Sequence, residues 1–165
     1  MRPRIHRRGY TLTELMIVVA IMGVLMSVGP VLMTQMQNFY LMTTARNDIQ
    51  RDARASLDTM NRFLRQAKYG TIVIDTPSSQ GPYSRIRFLL VDNRYVEFRQ
   101  SGNDLIQVVN NTSSTISKNL VYIAFTFPRT DDPTIVSVSM TMGKSIQLGR
   151  RKVLELTIQK VRVMN

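Results

Sequence analysis

The sequence predicts an α+β fold, a long N-terminal α-helix whose first half spans a membrane, packed on a C-terminal antiparallel β-sheet domain. Three observations predict it. A run without charge follows a basic start, with no charged residue between Glu14 and Arg46. From Val31 to Tyr69 there is neither glycine nor proline. After Gly70 the apolar residues stop recurring at helical spacing and begin to alternate.

The apolar stretch from Leu15 to Met33 would rise roughly 28 Å as a helix, close to the hydrocarbon thickness of a bilayer. Arg2, Arg4, Arg7 and Arg8 precede it, and positive flanks stay cytoplasmic, so the bulk of the chain is expected across the membrane. The alternative is a removed signal peptide. That needs small residues at a cut site, and Ser27-Val28-Gly29-Pro30 offers them only with a disfavouring proline. Glu14 at the edge of the run needs a reason, because a carboxylate there costs up to about 3 kcal/mol on insertion.

The second half of the helix is amphipathic. Ile49, Ala53, Leu57, Met60, Leu64 and Ala67 recur at three- and four-residue intervals, one apolar stripe to dock on a sheet. The other face carries Arg46, Asp48, Arg51, Asp52, Arg54, Asp58, Arg62 and Arg65, with Asp58 and Arg62 spaced for an i,i+4 pair. Helix is expected from Tyr10 to about Ala67, bent or interrupted at Gly29-Pro30.

The strands follow in order. Ile86, Phe88 and Leu90 alternate, Asp92-Asn93 marks a turn, and Val96 and Phe98 resume the alternation. Ser101-Gly102-Asn103-Asp104 is a second turn before a short strand at Leu105–Val109. Val121, Ile123, Phe125 and Phe127 alternate, as do Val136, Val138, Met140 and Met142 beyond Pro128–Pro133. In the last strand Leu154, Leu156 and Ile158 share one parity, and Val161 and Val163 the other. A bulge near Gln159-Lys160 reconciles them.

Composition excludes several chemistries. The chain has no cysteine, so it forms neither disulfides nor thiolate metal sites. Its one histidine, His6, lies among the N-terminal arginines, which excludes a Ser-His-Asp triad. The formal charge is +11.

The stretch RRGYTLTELMIVVAIMGVL, Arg7 to Leu25, resembles the N-terminus of type IV prepilins and of the pseudopilins of type II secretion. Their shared pattern is a basic leader ending in glycine, an aromatic residue, a glutamate fifth after the cut, and a hydrophobic helix. Gly9, Tyr10, Thr11, Leu12, Glu14, Leu15 and Gly23 fall where the pattern wants them. Two departures stand out. Tyrosine replaces the usual phenylalanine, and Pro30 falls one position earlier than in the common major-pilin pattern.

The resemblance implies that a prepilin peptidase cuts between Gly9 and Tyr10 and N-methylates Tyr10. It implies too that Glu14 compensates an N-terminal amine, its own or a neighbour's, in a filament. The chain divides accordingly into a leader (1–9), a membrane and filament-core helix (10–33), its amphipathic continuation (34–69) and a globular sheet domain (70–165). The expected partners are the peptidase, other minor and major pilins or pseudopilins, and inner-membrane lipid. The anchor would lie in the inner membrane with the C-terminal domain in the periplasm or outside, and no cofactor is implied. With no catalytic constellation, an enzyme is not expected.

The C-terminal pattern is similar to the larger minor pseudopilins and minor pilins, the J-type and W-type, and to related competence pseudopilins. Their function would be to initiate or cap a filament. The alternative is a membrane-anchored DNA-uptake pilin, with Lys144, Arg150, Arg151 and Lys152 as phosphate contacts. Asp131 and Asp132, between two prolines, are a candidate calcium loop, although a solvated turn explains them as well.

Overall fold

The computed structural model describes residues 9–68, 70–77, 81, 84–129, 132–146 and 150–163, with the backbone alone at 146 and 150–159. Helix α1 runs Leu12–Arg65. The strands are β1 (Val73–Asp75), β2 (Arg85–Leu89), β3 (Tyr95–Ser101), β4 (Asp104–Val109), β5 (Thr112–Ser117), β6 (Leu120–Thr126), β7 (Ile135–Ile146) and β8 (Arg150–Arg162). The chain forms two units, Met1–Leu41 and Met42–Asn165.

In the first unit α1 continues through Pro30, so the interruption expected at Gly29-Pro30 is absent. Proline lacks the N–H that would bond four residues back, so the Met26 carbonyl loses its helical donor. Two nearby hydroxyls return to the backbone, Ser27 Oγ donating to Val24 O at 2.8 Å and Thr34 Oγ1 to Val31 O at 2.8 Å. The apolar side chains of this unit are uncovered, Leu15 and Leu25 each being more than 60 % exposed. The helix is long and apolar enough to cross a membrane.

The second unit is an α+β assembly around one core. Ile49, Ala53, Leu57, Met60, Leu64 and Ala67 are all buried, as the helical period predicts. Full burial of each larger side chain contributes roughly 2 kcal/mol. They meet Ile86, Phe88, Val96, Phe98 and Leu105 from one sheet, and Leu120, Ile123, Phe125, Val136, Val138, Met140 and Met142 from a second. Phe98 joins helix to sheet, its ring 6.0 Å from that of Phe63 edge-on and 6.3 Å from that of Phe88.

The expected antiparallel β domain is built of two sheets, β1-β2-β3-β4-β5 and β6-β7-β8. The Gln100 side-chain amide joins them. Its Nε2 donates to Val121 O at 3.0 Å, and its Oε1 accepts from Ile123 N at 3.1 Å. It thus gives the edge of β6 what a neighbouring strand's peptide would give.

Both expected turns are present, with Asn93 at φ 64° and Gly102 at φ 61°. Gly102 suits that conformation because it has no Cβ to clash. The β6 parity holds at Ile123 and Phe125 and departs from expectation at the two ends of the pattern. A register shift between Leu120 and Tyr122 buries Leu120 with Ile123 and Phe125, while Phe127 lies past the strand end and is 37 % exposed. The expected irregularity in β8 falls between the pairs Val138–Gln159 and Met140–Leu156, and Val161 and Val163 are buried beyond it.

Candidate processing and assembly site

At its N-terminus α1 begins with a reciprocal pair of hydrogen bonds. Thr11 N donates to Glu14 Oε2 at 2.9 Å, Thr11 Oγ1 donates to the same oxygen at 2.9 Å, and Glu14 N approaches Thr11 Oγ1 at 3.3 Å. Leu15 N reaches Thr11 O at 3.3 Å, so Thr11 is the residue from which the first helical turn closes. This is a capping box. Threonine and glutamate three apart satisfy backbone donors that the first turn leaves unpaired. Glu14 therefore has an intramolecular function before any neighbour arrives. The bonds converge on Oε2, and among the described residues Oε1 accepts none.

Upstream, Gly9 and Tyr10 are exposed, Tyr10 to 89 %. A Cβ built on Gly9 would meet nothing within 4 Å, and Gly9 is not in the left-handed region. Among the described residues neither packing nor backbone geometry demands glycine there. Gly9, Tyr10 and Glu14 thus lie on one short uncovered segment. Thr11 is the member whose role pattern matching left blank, although Thr-x-x-Glu ahead of an apolar run is itself a local helix-start signal.

The backbone register brings the four basic candidates of the globular unit to one end of the β7–β8 pair, as the sequence suggested. Lys144 Nζ donates to Asp48 Oδ2 at 2.7 Å, so it docks sheet on helix and is not a free phosphate contact. The bond and charge of Lys144 hold the Asp48 carboxyl below its ordinary value. By backbone register Lys152 lies opposite Lys144, Arg151 opposite Ser145 and Arg150 opposite Ile146. The side chains of those three lie outside the described residues.

Asp131 also lies outside the described residues. Asp132 Oδ1 accepts from Thr134 N at 3.0 Å and from the Thr134 hydroxyl, closing a turn and lowering its pKa. Among the described residues no group of three His, Asp or Glu side chains could hold a metal ion.

One further contact escaped sequence reasoning. Asn119 Nδ2 donates to Asp52 Oδ2 at 2.7 Å, so Asp52 fastens α1 to the connection between the two sheets, as Asp48 fastens it to β7.

Residues 4–29 match the family model of the prokaryotic N-terminal methylation motif. That motif is a prepilin peptidase substrate signal, and its matched span contains Gly9, Tyr10, Thr11 and Glu14. No curated protein matches the chain.

Proposed function

We propose that this chain is a minor pilin or pseudopilin, a structural subunit that initiates or caps a type IV pilus or type II secretion pseudopilus after prepilin peptidase cleavage. One observation carries the reading. A methylation motif heads a long helix whose stretch from Leu15 to Met33 carries no charge, at a glycine that no packing among the described residues requires. The leader arginines hold the N-terminus in the cytoplasm, Leu15–Met33 crosses the inner membrane, and the second unit stands in the periplasm or outside. The peptidase cuts after Gly9 and methylates the new amine on Tyr10.

Glu14 then acts in assembly. Its Oε2 stays in the capping box, while Oε1 is available to the methylated amine of its own chain or of a neighbour. Two opposite charges brought together among packed helices tolerate each other where either alone would be costly. The chain is the substrate of an enzyme and not itself one. The DNA-uptake alternative is weakened because Lys144 already spends its charge on Asp48.

Intact-mass and N-terminal peptide measurement in membranes containing the peptidase tests the reading. The expected product starts at N-methylated Tyr10. A chain that keeps its leader under those conditions contradicts it.

A further inference from the structure

The part of α1 in the second unit carries an arginine stripe opposite its buried face. Arg51, Arg54, Asp58, Arg62 and Arg65 follow each other at three- and four-residue steps, so they share one arc of the helix, and all are exposed. The buried positions Ile49, Ala53, Met60 and Leu64 occupy the other side. A solvated helix face normally mixes both signs and ties them at i,i+4. This one holds four arginines to one acid.

Among the described residues, Asp58 forms no ion pair with Arg54 or Arg62, though both are four residues away. Arg51 lies 3.9 Å from Asp48, whose other oxygen is bonded to Lys144 at 2.7 Å. Arg62 lies over the Phe63 ring, 5.4 Å from its centroid. The arginines of β2 and β3 differ, since Arg85 and Arg87 share Asp75 at 2.6 Å and Arg99 lies 3.5 Å from Glu97. Asp48 and Asp52, the other acids on this part of the helix, are bonded to Lys144 of β7 and to Asn119 between the two sheets.

We propose that this stripe docks a carboxylate-bearing face of a different protein subunit. The inference rests on the filament-subunit reading and names one partner of it by chemistry. A second copy of this chain is a poor complement, because the chain carries a formal charge of +11 and its carboxylates at Asp48, Asp75, Asp92, Glu97 and Asp132 are already bonded within the fold. A duplex phosphate backbone is a poor one too. Its uniform negative charge would meet Asp58 in the middle of the stripe, and no exposed aromatic on this arc offers a base a stacking surface. A protein face with carboxylates opposite the arginines, and a donor opposite Asp58, satisfies both signs. Arginine suits it, because its planar fork bonds a carboxylate in two places.

The test uses the full-length chain in peptidase-containing membranes, with a photocrosslinking amino acid in place of the exposed Ala55 beside the stripe. The expected adduct is with another protein whose crosslinked peptide carries Asp or Glu. Arg54→Glu with Arg62→Glu should lower its yield about tenfold, and changing the partner's acids to Arg should restore it. Both substituted residues are exposed, and equal cleavage at Gly9 verifies that the variant is made and inserted.

An adduct insensitive to charge reversal overturns the proposal. So does one that maps only to a second copy, lipid or nucleic acid. Absence of any adduct from a correctly cleaved chain overturns it while leaving the filament reading standing. A chain that is never cleaved overturns both.

Discussion

At the scale of single residues, the uncovered segment Gly9–Glu14 makes separable predictions. Gly9→Ala should leave the fold intact, since its Cβ would meet nothing within 4 Å, yet reduce cleavage severely. Leader removal by membranes containing the peptidase is the readout, and cleavage equal to wild type would return Gly9 to an incidental linker residue. Thr11→Val should cost about 1 kcal/mol of helix-start stability, the usual value of a cap, while Thr11→Ser keeps it. Faster amide exchange at Thr13 and Glu14 in the valine variant alone is the expected sign.

Asp75 sets a pH dependence in the globular unit. Arg85 donates to it through two nitrogens at 2.6 Å, which holds its carboxyl below the ordinary value; the charges of Arg85 and Arg87 act in the same direction. A lowered folded pKa means that the unfolded chain binds the proton more readily. The stabilisation is therefore complete above the unfolded value near 4 and is lost as pH falls through the folded value. Denaturant midpoints of wild type and Asp75→Asn should differ at pH 7 and converge in strong acid.

At the scale of elements, the Gln100 seam carries the clearest energetic claim. Gln100→Leu fills similar space but leaves Val121 O and Ile123 N without their partner, which should destabilise the sheet unit by about 1–3 kcal/mol. A denaturant midpoint indistinguishable from wild type would show that water replaces the amide freely.

The second half of α1 was readable from its period, because a helix that buries one face must repeat its apolar residues every three to four positions. Strand β5 was not. Thr112-Ser113-Ser114-Thr115 has no apolar alternation, and the signal was the preceding Asn110-Asn111, with φ 46° and 68°, the signs a tight hairpin turn requires. The helix-to-sheet fastenings were equally hidden, since Asp48 and Lys144 lie 96 residues apart and no local pattern pairs them. The candidate processing segment behaved the other way. Gly9, Tyr10 and Glu14 stand within six residues of one another, so their spacing was legible before any fold was known.

At the scale of the whole molecule, the two units divide the work by chemistry. The first offers an uncovered apolar helix with one acid at its head. The second is a basic α+β unit whose core is closed by its own two sheets. Assembly is the central claim, and Glu14 is the residue on which it turns. If Glu14 only caps its helix, Glu14→Gln should change little, because glutamine also serves at this position of a capping box. If Glu14 also compensates a charged amine, the same change leaves that amine unpaired among packed helices, at about 3–5 kcal/mol. The most direct measurement is crosslinking between subunits in peptidase-containing membranes, wild type against Glu14→Gln at equal expression. The account predicts that the variant is inserted, cut after Gly9 and absent from crosslinked assemblies; crosslinking equal to wild type would contradict it.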